Sequence, residues 1–362
     1  MNSIKTRIRR LMPAYAVGAL LVLYGAYCST AVASEMDTNW TAFNLKLVNS
    51  HIIPSYKALN SAADTLEQST KELCASPSEA ALLAAKSAFN QTMDAWQSIQ
   101  HVNFGPVEYA TRGTSFQFWP DKKNHIGKQL NQLIQSNDAE RLGDKFTKTS
   151  VSIKGLPALE RLLYSDQAKS ELDQNNYRCQ VLMRVSRNVS EIGIALSSEW
   201  QNYMLAQFED AAQVDGFFED EIDAATALLK TIVEPLEIIR DLKLKRILGS
   251  EFGKQKFKRL ESWRSQRSLR NIRLNIEVIE DTLPMLESVL APEGITTITR
   301  QLGKINALLD QIPLPLEESI QTESAYQQLS QLVIQLTALH KSLERAVSKQ
   351  GIHLGFNSRD GD

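Results

Sequence analysis

Little in this chain offers a ready-made catalytic device. Histidine occurs only five times, at His51, His101, His125, His340 and His353, with no H-E-x-x-H and no pair four residues apart. The common helical zinc-hydrolase arrangement is therefore missing. No glycine-rich phosphate loop and no G-x-S-x-G elbow occurs, which removes the usual nucleotide-binding and serine-hydrolase signatures. Alternation with β-branched residues is scarce, which argues against sheets. The formal net charge is −2, a balance that provides no long-range attraction for nucleic acid or an anionic membrane. The basic run Lys254-Gln-Lys-Phe-Lys-Arg259 is short enough to be one solvated helix face.

Cysteine is equally sparse: Cys28, Cys74 and Cys179 are the three present, and no C-x-x-C exists. The first of them belongs to an N-terminal targeting pattern. Lys5, Arg7, Arg9 and Arg10 precede an apolar run from Leu11 to about Tyr27, and Ala31-Val32-Ala33 follows. This is the order of a secretory signal peptide, cut after Ala33. Lipid attachment at Cys28 is the alternative, disfavoured by bulky Tyr27 where a small residue is wanted. The mature chain of 329 residues then has 36 basic and 42 acidic residues. No further apolar run is of membrane length. In an exported protein the remaining Cys74 and Cys179 make a disulfide the default expectation, two separate buried thiols being the alternative. It would close a loop of about a hundred residues and add on the order of 4–5 kcal/mol.

What is abundant is helical periodicity, and the fold class is all-α. Residues of about 36–73 read as a helix interrupted near Pro54. Ser76-Pro77-Ser78-Glu79 reads as an N-cap, a first-turn proline and a capping-box glutamate, opening a helix to about Val102 with Leu82, Ala85, Phe89, Met93, Trp96 and Ile99 on one face. Residues 103–121 have no period and five aromatic residues, the composition of a structured loop. Helices follow at about 122–135, after Gly155, and at about 168–208. Past Gly216 the programme restarts with helices at about 217–247, broken at Pro235, 256–290, 295–310 and 322–350. Two four-helix bundles side by side are expected, 34–208 and 209–350, from a diverged duplication, with 351–362 a loose tail.

Three stretches could carry chemistry. Gly155-Leu-Pro157-Ala-Leu-Glu160 places a carboxylate among leucines, either at the bundle edge or in a polar site. Arg112 to Asn124 includes Trp119 and Asp121, the latter also suited to capping the next helix. Glu261-Ser262-Trp263-Arg264-Ser265-Gln266-Arg267-Ser268-Leu269 combines guanidinium groups, hydroxyls and an indole. It suits anion or carbohydrate contact, or else is a polar helix face with Trp263 and Leu269 in the core.

Gly155 to Glu160 resembles the signature of the imelysin family, G-x-H-x-x-E, with Pro157 at the histidine position. Trp96 to His101, Phe104 to Glu108, Arg112, Phe118 to Asp121, the Cys74 and Tyr177-Arg178-Cys179 pair, Glu237 to Leu244 and Glu261 to Leu269 extend the resemblance over most of the mature chain. It implies paired bundles, a ligand site at their junction, and a connection to iron uptake; relatives with the intact motif were once classed as metallopeptidases. Carried over, the ligand-binding set is Gly155, Glu160, Arg112, Trp119, Asp121, Glu261, Ser262, Trp263, Arg264 and Ser265, with no catalytic residue and no metal ligand, since proline supplies none. The expectation is a periplasmic, non-catalytic binding protein that holds a small anionic ligand, iron or an iron complex, with envelope iron-uptake proteins as partners and no nucleic acid. Two alternatives stand: a metallopeptidase whose site is rebuilt from His101 and His125, and a structural subunit of an envelope complex.

Overall fold

The computed structural model describes residues 38–355. The expected signal peptide and the Cys28 alternative lie outside the described residues, as does the tail from residue 356. Among the described residues there are helices and turns and no strand. In chain order the α-helices are α1 (Trp40–Leu47), α2 (Ile53–Ala75), α3 (Glu79–Ile99), α4 (Arg112–Phe116), α5 (His125–Ser136), α6 (Leu156–Leu163), α7 (Ala168–Gln174), α8 (Asn176–Glu199), α9 (Leu205–Glu209), α10 (Glu221–Val233), α11 (Pro235–Glu237), α12 (Arg246–Leu248), α13 (Ser268–Leu286), α14 (Pro292–Gln311), α15 (Leu316–Ser319) and α16 (Glu323–Ser348).

The first half is built on α2, which packs against α3 and α8, with α6 laid across α3 and α8. In the second half α14 packs on α16 and on α13, while α16 covers the segment that follows α11. The α3–α13 and α1–α10 contacts join the halves, and one continuous hydrophobic core runs through both. Heptad-like stripes explain these faces. Leu329, Leu332, Leu336, Leu339, Leu343 and Val347 of α16 are all buried, as are Val181, Val185, Val189, Ile192 and Leu196 of α8, each at steps of three or four residues. The Cys74–Cys179 disulfide ties the end of α2 to the start of α8.

Proline sets two of the irregularities. A π-helical turn, Val48–Ile52, stands immediately before Pro54, and another, Ile238–Lys245, follows Pro235. Each proline lacks the N–H that a regular ladder needs, and its ring crowds the preceding turn, so the chain widens nearby instead of continuing. Some expected boundaries move. The cap of α3 is Ser78, whose Oγ accepts from the Ala81 N–H at 3.1 Å, so Ser76 and Pro77 precede the helix. The helix expected from residue 256 begins at Ser268, because Ser262 and Gln266 take left-handed φ values of 54° and 55° and break any earlier helical turn. The long helix expected over 168–208 is interrupted at Asn175, which caps α8 through its side chain.

Replacing Cys74 and Cys179 with serine should lower unfolding stability by about 4 kcal/mol, the loop-closure value for a crosslink spanning about a hundred residues. Urea denaturation measures it; an unchanged midpoint would show that the crosslink does not constrain the unfolded chain.

Candidate functional site

Gly155 allows the site to exist. Its Cα lies so close to the ends of α4 that a Cβ would stand 2.2 Å from the Ser115 carbonyl oxygen and 2.1 Å from that of Phe116. Only glycine permits that approach. Leu156 and Pro157 then form the first turn of α6, and Glu160 is presented inward at 5% exposure. Its Oε1 accepts from the Ser265 N–H at 2.9 Å and from Ser265 Oγ at 2.7 Å. Burial pushes the Glu160 carboxyl above its usual range, opposed by these hydrogen bonds and by the charge of Arg264. Glu160 is thus a carboxylate held in a polar site, not one at the bundle edge.

The turn that receives it, residues 261–266, is also held from below. Glu261 is 3% exposed and makes a 2.7 Å salt bridge to Lys243, itself 4% exposed. Lys243 Nζ also donates to Gln97 Oε1 at 2.9 Å and to Asn275 Oδ1 at 2.7 Å. The other Glu261 oxygen accepts from Gln117 at 2.6 Å, and Asn271 donates to Oε2 at 3.0 Å. Burial pulls the Lys243 ammonium below its ordinary value, with Glu261 opposing. All three ammonium protons and both carboxylate oxygens have partners, the condition under which a buried pair persists. A second lock between the halves joins Asp94 of α3 to Arg267 and Arg270.

Two concavities flank this turn. A chamber of about 480 Å³ lies between α3, the 103–121 connector and the segment from Glu234 to Lys243, walled by Trp96, Trp119, Gln117 and Glu261. A slot of about 100 Å³ adjoins it, sharing Gln117, Trp119, Pro120 and Glu261. Of the residues singled out in the sequence, Glu160, Trp119, Asp121, Glu261, Ser262, Trp263 and Arg264 line the slot, and Ser265 binds Glu160 behind it. The Arg264 guanidinium lies 4.1 Å above the Trp263 ring centre, and burial, followed by the like charge of Arg161, pulls it down to about 10. Two predicted members take other places. Arg112 grips Glu199 in a fork of 2.6 and 2.8 Å and donates to the Pro106 carbonyl, so it lines neither concavity. Gly155 is a packing position. Asp121 accepts from the His125 and Ile126 N–H groups at 2.7 and 3.0 Å, the helix-capping role weighed in the sequence, while also bordering the slot.

Sequence reasoning missed Lys243, Gln97, Asn271, Asn275 and Gln117. For Lys243, Gln97, Asn271 and Asn275 the one signal was polar residues set on otherwise apolar helix faces; Gln117 lies in extended backbone after α4 and had none. The rebuilt histidine site does not form. His101 pairs with His51, their Nε2 atoms 3.2 Å apart in the interior, and His125 is exposed beside Phe118. With proline at the motif position and Glu160 occupied by Ser265, the residues present do not fit a metal, and among the described residues no group of three potential ligands is disposed to hold one.

This helical architecture, with the glycine-opened α6 and its carboxylate at the junction of the halves, defines an imelysin-type protein. The imelysin family model matches residues 52–343, and the chain belongs to that family. It is similar to iron-regulated protein A of Synechococcus elongatus, with 22% identity over 233 residues, 63% of this chain and 60% of that protein. The match thus spans less than two thirds of that relative. Among solved structures, an imelysin-like protein from Psychrobacter arcticum superposes with a TM-score of 0.72 at 19% identity, covering 88% of this chain and 97% of the other. An iron-regulated protein A precursor from Parabacteroides distasonis gives 0.69 at 16%, covering 84% and 95%.

Breaking the Lys243–Glu261 pair from one side, by Lys243→Met or Glu261→Gln, should cost about 3–5 kcal/mol by leaving a buried group uncompensated, and the combined variant should recover part of that loss. Denaturation midpoints of the three variants check it. The histidine pair gives a pH effect of defined sign. Burial lowers both imidazoles, aided at His101 by His51 and opposed at His51 by Asp281. As the pH falls below about 6.5 the unfolded chain takes up protons that the folded chain resists, so stability should fall towards about pH 5. A His51→Asn/His101→Gln variant should lose that component of the slope.

Proposed function

We propose that this protein is an exported, non-catalytic imelysin-type binding protein of iron metabolism, which holds a small anionic ligand or metal complex in the crevice between its two helical groups. The observation that carries this reading is the adjacency of the chamber and the slot around one rigid turn. The chamber, at about 480 Å³, is of the size that small-molecule sites occupy. Trp96 and Trp119 offer it flat apolar walls, and the slot offers guanidinium groups for charge pairing. The link to iron is supported by the relatives named as iron-regulated. Export is supported by the N-terminal charge and hydropathy pattern and by the precursor status of one structural relative.

The non-catalytic reading is supported by the engagement of Glu160 with Ser265 and by Pro157 at the motif position. A carboxylate whose Oε1 already accepts two hydrogen bonds in a buried turn, with no histidine beside it, is a poor ligand for free metal. Equilibrium dialysis with labelled iron separates the readings. Iron presented as a carboxylate chelate should be retained, and retention should fall at least tenfold in Trp119→Ala; the free ion should not be held tightly. Chelator-sensitive peptide cleavage that disappears in Glu160→Gln would overturn the proposal in favour of a metallopeptidase.

A further inference from the structure

The walls of the slot carry an excess of positive charge. Arg161, Arg246, Arg259 and Arg264 line it together with Lys122 and Lys258, and among the described residues none of the six lies within salt-bridge distance of a carboxylate. Of the three acidic residues on the same walls, Glu261 is paired with Lys243, while Glu160 and Asp121, hydrogen-bonded to Ser265 and to the amides that open α5, offset the charges of Arg161 and Arg264 only in part. Arg246 has a buried Nη1 with no hydrogen-bond partner. Arg264 has one face covered by Trp263 and, among the described residues, makes no side-chain hydrogen bond with its edge. Arg161 donates to Asn124 alone.

Such crowding is unfavourable without a counter-charge. Burial, then the charge of Arg259, lowers Arg246, and Arg161 does the same to Arg264. Guanidinium groups that converge on one slot, three of them half-buried and Arg259 exposed, are an arrangement that oxyanions satisfy by forked, charge-assisted hydrogen bonds. The slot, at about 100 Å³, is well below the size of a complete small-molecule site, so it suits one head group and not a whole ligand. Its shared wall with the chamber places the remainder of the molecule against Trp119.

We infer that the slot lined by Arg161, Arg246, Arg259 and Arg264 is an oxyanion site, which takes a multiply charged carboxylate or phosphate head group of the ligand whose body occupies the adjoining chamber. This rests on the proposed binding function and specifies its ligand class.

Calorimetry on the mature protein, with citrate and inorganic phosphate as separate metal-free titrants, tests it. At least one should bind with an affinity that falls as salt is raised, and should raise the melting temperature. Arg246→Gln and Arg264→Gln should each weaken that binding by about tenfold or more, the loss of one charge-assisted contact. Because these substitutions relieve repulsion, the ligand-free melting temperature should hold or rise, which separates lost binding from lost fold. Preference for citrate marks a carboxylate ligand and preference for phosphate a phosphorylated one. Absence of binding by both anions at low salt, or binding indifferent to both substitutions, overturns the inference. If iron chelate is still retained in that case, the binding function survives and only the slot assignment fails.

Discussion

The junction of this protein depends on one buried ion pair. Lys243 comes from the widened helical segment after Pro235, Glu261 from the turn before α13, and Gln97 from the last turns of α3. An ammonium and a carboxylate taken out of water would each be costly, and their attraction alone does not offset that cost. It is the ring of amide side chains, Gln97, Gln117, Asn271 and Asn275, that completes their hydrogen bonding and makes the pair tolerable. Because those amides come from both halves, satisfying the pair also fixes the two helical groups against each other. Everything at the candidate site hangs from the same turn: Ser265, which holds Glu160; Arg264, stacked on Trp263; and the wall shared by slot and chamber.

Two of the π-helical segments fit the same logic. A regular helix through Ile238–Lys245 would advance each side chain by a fixed angle, and widening the ladder alters which residues point inward. Here it coincides with Lys243 reaching the interior while Arg240 stays at the edge with Glu237 and Asp241. At Val48–Ile52 the widened turn coincides with His51 meeting His101. Both irregularities therefore place polar side chains where an apolar stripe would otherwise continue.

The replacement of the family's motif histidine by Pro157 is tolerated because the position lies in the first turn of α6, where an N–H has no helical partner to lose. Glycine at 155 is under a different constraint, since the carbonyls of Ser115 and Phe116 occupy the space of a side chain. The motif thus retains its docking function for α6 while its donor set is reduced to one carboxylate already engaged by Ser265.

Much of the fold was legible because helix formation and burial are periodic properties of local sequence. The stripes of α3, α8 and α16 and the irregularity near Pro54 could be read this way, whereas the run around Trp263 and Arg264 was legible only as residue types. The helix start at residue 256 could not, because left-handed backbone at Ser262 and Gln266 is imposed by the contacts of the turn with Glu160 and Asn271 and not by residue type. Nor could the destination of Arg112, which depends on Glu199 arriving from a helix 87 positions away in the chain. Composition and spacing by themselves determined an all-helical chain and the residue types of its polar turn. Which carboxylate met which cation was decided only by the tertiary structure, because charge pairing acts through space over a few ångströms and long-range partners leave no periodic mark on the sequence.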